Sequence, residues 1–312
     1  MERTHIIILN WNGGEDTWKC VRSVCMLPDV RITIVDNAST DDSVSFLQTQ
    51  LRETGIDYAL ISAEEVSSLA GLPQQTSIVL SSQNLGFAKG INLVLRPLLE
   101  AESEAFVWLL NNDAIAGPDT LAPLIAALRA DMNIAFAGSA IMDARRHDEV
   151  QCFGVRYYKW LGVGKMLFKG RAWDSISGQE LAAAPPDFQH GASLLVRMDA
   201  IRKIGLLDER FFLYSEEHDW QQRGSKAGLR NARVPESKVY HLGSMSTARS
   251  RHLFYYYYSS SSVIFARKHH PGFTAGVATV MLSLITVIRT RLHPKSMRWA
   301  LKGIREAWKI PL

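Results

Sequence analysis

Two runs near the N-terminus set the architecture. Thr4-His-Ile-Ile-Ile-Leu-Asn10 opens into Asn10-Trp-Asn-Gly-Gly14, and Arg31-Ile-Thr-Ile-Val-Asp36 opens into Asp36-Asn-Ala-Ser-Thr-Asp-Asp42. Each is a short apolar, β-branched segment ending in polar turn residues, the pattern of a buried strand. Asp16–Leu27 between them reads as a helix. The alternation continues outward: Ser39-Thr-Asp-Asp42 offers N-cap residues for a helix over about 42–53, Ser77–Ser81 reads as a strand, and about 88–100 as a helix. Ala105–Leu110 is a further strand, and Pro118 stands at a helix-start position for a helix over roughly 118–130. Strands alternating with helices predict an α/β chain, a mostly parallel sheet covered by helices on both faces. Beyond about residue 143 the rhythm changes. Residues 145–185 read as irregular structure or an inserted subdomain, Phe188–Arg197 as a strand and Glu216–Ala227 as a helix.

The 312 residues are 47% hydrophobic and 21% charged, enough apolar material for a sizeable core and incompatible with disorder. Lys+Arg 35 against Asp+Glu 31 leaves +4, too little to argue for nucleic acid as a partner. Arg289–Leu312 carries seven basic residues against one acid, more than the whole positive excess. Cys20, Cys25 and Cys152 have neither disulfide-framework nor zinc spacing and read as buried thiols of a reducing compartment. The strand-like run begins almost at Met1 with no signal peptide before it, so the expected location is cytoplasmic.

The C-terminal region is of a different kind. Phe273–Ile288 is sixteen residues without a charge, short of the roughly 20 that cross a bilayer. Met297, Leu301, Ile304 and Trp308 then repeat at helical spacing, with Arg298, Lys302, Arg305 and Lys309 one step on. That is a basic amphipathic helix suited to a membrane surface, or a terminal helix packed on its own domain. The expected division is therefore a domain over 1–245, with halves at about 1–143 and 144–245, and a helical, membrane-associating region over 246–312.

Ligands of parallel α/β sheets gather beyond the carboxyl ends of the strands. Three such ends bring Asn10 to Gly14, Asp36 to Asp42 and Asn111-Asn-Asp113 to one rim. No GxGxxG and no Walker lysine loop is present, so dinucleotide and P-loop phosphate cradles are missing. Asp36 could accept an imide N–H of uracil or thymine, and Asp113 is well placed for a hard divalent cation on a pyrophosphate. Asp208-Glu-Arg-Phe-Phe-Leu-Tyr-Ser-Glu-Glu-His-Asp219 packs carboxylates among aromatics, the composition of a general base in an aromatic-walled pocket. His241, after Lys238-Val-Tyr240, is a candidate metal ligand or a structural histidine.

Six pieces in order carry a resemblance: Asn10-Trp-Asn-Gly-Gly14, Val35–Asp42, Asn84-Leu-Gly-Phe-Ala-Lys-Gly-Ile-Asn92, Leu109-Leu-Asn-Asn-Asp113, Gly191-Ala-Ser-Leu-Leu-Val-Arg197 and Gly205–Asp219. Over about residues 4–270 the chain resembles glycosyltransferase family 2 of the GT-A fold, in its rhamnosyltransferase-like part. The resemblance implies inverting transfer of a sugar, with rhamnose from dTDP-rhamnose the foremost donor and UDP-sugars the alternative. It further implies Mg2+ or Mn2+, a lipid-linked or oligosaccharide acceptor, and work on cell-surface polysaccharide (O-antigen among them) at the inner face of the plasma membrane. It assigns Asn10, Asn12, Asp36, Asn84, Lys89, Asn111 and Asn112 to the donor, and Asp113 and His241 to the metal. Glu217 becomes the base, with Glu216 as the alternative, and Asp208, Tyr214 and Asp219 fall on the acceptor side. The chain departs from the pattern at Asn111, where the metal motif has an acid, at Glu217 in place of Asp, and at Ser259–Ser262, where relatives carry Arg-Asn and Arg267 is the nearby substitute. The competing readings are a sugar-nucleotide nucleotidyltransferase, disfavoured because Asn12-Gly-Gly14 carries no basic residue, and a non-catalytic nucleotide-sugar binding module.

Overall fold

The computed structural model describes residues 3–101, 105–243, 251–290 and 293–312. In chain order the first half is β1 (Thr4–Asn10), α1 (Gly14–Val24), β2 (Val30–Asp36), α2 (Ser43–Glu53), β3 (Tyr58–Ser62), β4 (Thr76–Leu80), α3 (Gly86–Ala101), β5 (Phe106–Leu110), β6 (Ala114–Ala116) and α4 (Leu121–Ala130). The second half is β7 (Ile134–Asp143), β8 (Val150–Cys152), β9 (Val155–Tyr158), β10 (Val163–Met166), α5 (Gly178–Ala183), β11 (Ser193–Arg197), α6 (Met198–Ile204), α7 (Glu216–Lys226) and β12 (Arg230–His241). Three helices follow, α8 (Arg251–His269), α9 (Gly272–Thr290) and α10 (Pro294–Ala307).

The isoleucines of β1 explain the layering. Ile6 and Ile8 join one apolar cluster with Trp18 and Val21 of α1 and Leu47 of α2, while Ile7 joins the other with Ile91, Val94 and Leu98 of α3. Successive side chains of a strand face opposite ways, so a strand apolar at every position must be covered on both sides. Each such buried side chain stabilises the fold by about 1.5–3 kcal/mol.

The main sheet runs β3-β4-β2-β1-β5-β11-β7-β12-β6, with β8 on β7. Strands β3, β4, β2, β1 and β5 are mutually parallel, as expected. The other half is mixed: β11 lies antiparallel between β5 and β7, while β12 is parallel to β7 and antiparallel to β6. Three strands carry no clear sequence signal. β3 is a partly buried edge, β7 takes four of its ten residues from Ala and Gly, and β12 contains Pro235 and a break in register between Val234 and Lys238. Tertiary packing overrides weak β-propensity here. Gly138 of β7 illustrates it, since a Cβ there would meet the Gln189 side chain at 2.6 Å. The helix expected from Pro118 begins instead at Leu121, leaving the proline in the preceding turn. Residues 145–185 hold short strands and α5, not one continuous irregular stretch.

β2 and β4 lie on one side of β1 and β5 on the other, so strand order reverses at β1 and opens a crevice beyond its carboxyl end. The expected boundary between residues 245 and 246 lies outside the described residues. Past it, α8 packs on the domain, and α10 crosses α8 so closely that a Cβ on Gly303 would collide with the Tyr256 carbonyl. α9, at 19 residues, is long and apolar enough by length and composition to cross a membrane. It nevertheless buries Thr274, Ala275, Ala278, Leu282 and Thr286. On α10 the packed side is Ser296, Ala300, Gly303, Ile304 and Ala307, so of the expected apolar stripe Ile304 turns inward while Leu301 and Trp308 stay exposed. Small residues, not the large apolar ones, allow the close crossing.

Candidate active site

The crevice is framed from below by buried amides. Asn10 is wholly buried; its Nδ2 donates to Asp36 Oδ1 (2.8 Å) and Ser39 Oγ (3.1 Å), and its Oδ1 accepts from Thr17 Oγ1 (2.7 Å). Asp36 Oδ1 also accepts from Ser39 Oγ (2.6 Å) and Oδ2 from Ser39 N (3.0 Å). Asn12, in the left-handed region at φ 53°, accepts from the backbone of Thr40 (2.7 Å). Asn37 accepts from Leu85 N and donates to Asn84 Oδ1, tying the second strand end to the start of α3. Asn10 and Asp36 thus brace the floor and line none of the clefts.

Two connected clefts rise from this floor. The first, about 450 Å³, is lined by Trp11, Asn84, Phe87, Asn111, Asn112, Asp113, Phe212, Tyr214 and Tyr257. The second, about 590 Å³, shares Phe87, Asn111 and Tyr214 and adds Gln151, His190, Gly191, Glu216, Glu217 and His241. Lys89 is exposed on α3 and lines neither.

At the junction, Asp113 Oδ1 lies 3.0 Å from His241 Nε2, and Asn111 Nδ2 lies 3.2 Å from the same nitrogen. His241 Nδ1 is 2.6 Å from Gln151 Oε1, which can only accept, so Nδ1 carries a proton and Nε2 is turned towards Asp113. Burial pushes the Asp113 carboxyl up, but the hydrogen bond and charge of His241, aided by backbone N–H groups, hold it below the usual range. A carboxylate oxygen and an imidazole nitrogen 3.0 Å apart have the spacing of two adjacent ligands of an octahedral ion at about 2.1 Å from each, the cation taking the place of the proton between them. Among the described residues there is no cluster of three or more His, Cys, Asp or Glu, so a bound cation would complete its shell from diphosphate oxygens and water.

The opposite wall is the first turn of α7. Tyr214 (φ 70°) and Ser215 (φ 66°) both occupy the left-handed region, a strained entry that costs about 1–3 kcal/mol per residue and is typical of functional sites. It delivers Glu216 and Glu217 to the second cleft, each with a buried Oε2 that has no hydrogen-bond partner among the described residues. Burial, then the charge of Glu217, drives the Glu216 carboxyl well above its ordinary value. Burial also raises that of Glu217, against N–H groups including that of Gly191. His218 is stacked between Phe188 (3.9 Å) and Phe265 of α8 (3.7 Å), fixing this turn from behind.

Asp208 and Asp219 do not face the cleft. Asp219 is fully buried and pairs with Arg223, Lys268 and His269, and Asp208 pairs with Arg210 and Lys268. Both dock α8 onto the domain, because a buried carboxylate without cationic partners would be prohibitively costly. Arg267 is likewise committed elsewhere, to the carbonyls of Ala307 and Ile310. The serine run is buried instead: Ser261 donates to the Leu213 carbonyl (2.8 Å) and Ser262 lines the second cleft. Sequence reasoning missed Gln151, which has no local signature, and gave no role to Trp11, which it placed on the rim within Asn10–Gly14 and which stands 37% exposed in the first cleft.

The chain is similar to several known proteins. Residues 5–151 match the family described as Glycosyl transferase family 2. The N-acetylglucosaminyl-diphospho-decaprenol L-rhamnosyltransferase of Mycobacterium tuberculosis is 27% identical over 206 residues, covering 61% of this chain and 66% of that protein. The mannosyltransferase PcManGT of Pyrobaculum calidifontis, solved with GDP-Man and Mn2+, shares the fold at TM-score 0.57 and 14% identity, over 99% of this chain and 76% of that one. GalNAc-T7, solved with UDP, GalNAc and Mn2+, does so at TM-score 0.57 and 16% identity, over 77% of this chain and 44% of that one. The match to glycosyltransferase family 2 spans just under half of the chain, and over that part the chain is similar to its members. It has the GT-A fold and is rhamnosyltransferase-like.

Proposed function

We propose that this protein is an inverting glycosyltransferase that moves a sugar, foremost rhamnose from dTDP-rhamnose, onto a lipid-linked acceptor in cell-surface polysaccharide synthesis. The observation that carries the reading is the placement of the Asp113–His241 pair and the partnerless Glu216 and Glu217 oxygens on two sides of connected clefts. Asp113 and His241 would hold Mg2+ or Mn2+, which supplies charge neutralisation for the departing diphosphate. Trp11 offers its ring face to the nucleobase, and Asn84 and Asn112 border the donor. Glu217 Oε2 takes the proton of the acceptor hydroxyl as that oxygen attacks the anomeric carbon from the face opposite the diphosphate. One displacement inverts configuration and needs one base. The Gly191 N–H holds the carboxyl in place, and the apolar surroundings raise its basicity. The raised Glu216 carboxyl next to it stays protonated to higher pH and spares Glu217 a like charge.

The location we propose is the cytoplasmic face of the plasma membrane. In support, α9 exposes Phe273, Val280, Leu284 and Ile288, and α10 exposes Leu301 and Trp308 beside Arg298, Lys302, Arg305 and Lys309. Calorimetry with UDP, dTDP, GDP and CDP, with and without Mn2+, tests the donor assignment. Metal-dependent binding of dTDP or UDP that disappears in Asp113→Ala is expected; failure of both to bind would overturn the reading.

A further inference from the structure

The chain enters β11 through Phe188-Gln-His-Gly-Ala192, and this segment is held from several sides. Gln189 N donates to Gln221 Oε1 of α7 (2.7 Å), and the Gln189 carbonyl accepts from Gln221 Nε2 (2.9 Å). The Ala192 carbonyl accepts from Asn111 N (3.0 Å), at the strand end that carries Asp113. Between these ties Gly191 comes so near the base that a Cβ there would meet Glu217 Cγ at 3.4 Å. Phe188, Gln189 and Ala192 are buried, whereas His190 keeps partial exposure and lines the second cleft. Its ring centre lies 6.2 Å from that of His241. The ring is fixed in its tautomer as well as its place. Ala192 N donates to His190 Nδ1 (3.1 Å), and a ring nitrogen that accepts a hydrogen bond carries no proton. The imidazole is therefore neutral with its proton on Nε2, and Nε2 has no hydrogen-bond partner among the described residues.

We propose that His190 Nε2–H donates a hydrogen bond to a hydroxyl of the transferred sugar and so helps to set which donor sugars the site accepts. The inference rests on the sugar-transfer reading and adds to it a contact with the sugar itself. In a displacement that leaves the diphosphate beside the Asp113–His241 pair and brings the acceptor oxygen to Glu217, the sugar ring lies between the two. His190 stands in that interval, one residue from the Gly191 that touches Glu217 and beside the ring of His241. The chemistry suits the place. A cation there would oppose the positive charge that develops at the anomeric carbon, and a neutral N–H does not. Pinning on both sides keeps the donor in position before the sugar arrives, so little ordering is left to be done on binding.

Two variants separate the ring nitrogens. His190→Asn keeps an acceptor where Nδ1 stands and has nothing at Nε2; His190→Gln reaches Nε2 with an amide N–H and loses the Nδ1 acceptor. Titration calorimetry of the full chain with Mn2+ compares dTDP-rhamnose, UDP-glucose, UDP-N-acetylglucosamine and GDP-mannose, each against its own nucleoside diphosphate. The sugar nucleotide that wild type holds tightest should bind His190→Asn about tenfold more weakly, with the affinity for the diphosphate and the melting temperature kept. His190→Gln should bind it nearly as wild type does. If His190→Asn binds the sugar nucleotide like wild type, or loses the diphosphate equally, the proposal is overturned. The reverse order, a weak His190→Gln and a strong His190→Asn, also overturns it and makes the ring a brace for its own loop. A wild-type chain that binds none of these sugar nucleotides overturns the sugar-transfer reading, and the contact with it.

Discussion

Glu217→Gln isolates the base. The amide keeps the side-chain length, can still accept the Gly191 N–H through its oxygen, and cannot take a proton. General-base catalysis contributes about 10²–10⁴ in rate, so kcat should fall by that factor. Nucleotide binding, governed by the other cleft, should hold. The same substitution has an opposite effect on stability. A carboxyl whose folded pKa is raised above its unfolded value binds its proton more tightly in the native state. Stability is then greatest below the ordinary carboxylate range and declines as pH rises through the raised value, by about 1.4 kcal/mol for each unit of difference. Above that range Glu217→Gln and Glu216→Gln should both melt higher than wild type, and near pH 4 the gain should vanish. Nucleoside diphosphate release from a donor panel, calorimetry and melting curves at pH 4 and pH 8 read the three quantities. Full turnover in Glu217→Gln would refute the assignment. Loss of turnover only in Glu216→Gln would move the base one residue, and melting curves unaffected by pH would refute the account of the buried pair.

Other consequences are as direct. The acid limb of kcat/KM should lie above the ordinary carboxylate range, because burial raises the Glu217 carboxyl, and should stay in place in Glu216→Gln, whose neutral amide replaces a carboxyl still protonated there; a limb that moves contradicts this order of ionisation. Gln151→Ala frees the His241 ring and should weaken Mn2+-dependent nucleotide binding about 10–100-fold in titration calorimetry, without changing metal-free binding. Trp11→Ala should weaken binding of every nucleotide alike, by about 1–3 kcal/mol if the ring stacks on the base. Gly303→Leu forces α10 away from Tyr256 and should cost about 1–3 kcal/mol, seen as a lower melting temperature and faster proteolysis after α8.

The parallel half of the fold was legible because its strands hold unbroken apolar runs, Ile6–Leu9 and Phe106–Leu110 among them, and end in polar turns, a pattern that a doubly covered sheet needs. β7 and β12 were not, since Ala-Phe-Ala-Gly-Ser-Ala and a proline-broken polar run become strands only once neighbours supply the ladder. At the site, motif order brought Asn111, Asn112, Asp113, Glu216, Glu217 and His241 to one place. It failed for Asp208 and Asp219: acids spaced like a catalytic cluster pair instead with Lys268 and His269, about fifty residues on, and spacing cannot foresee a partner from another helix. Asp36 and Asn10 stand in the expected loop but spend their polar atoms on each other and on Ser39.

Phe254, Tyr258, Ser262 and Phe265 of α8 are walls of the second cleft, and Ser261 pins the loop ahead of Glu216. A shortened form ending before Arg251 would therefore lose a side of the cleft that holds Glu217, so α8 belongs to the reaction chamber as much as to the tail.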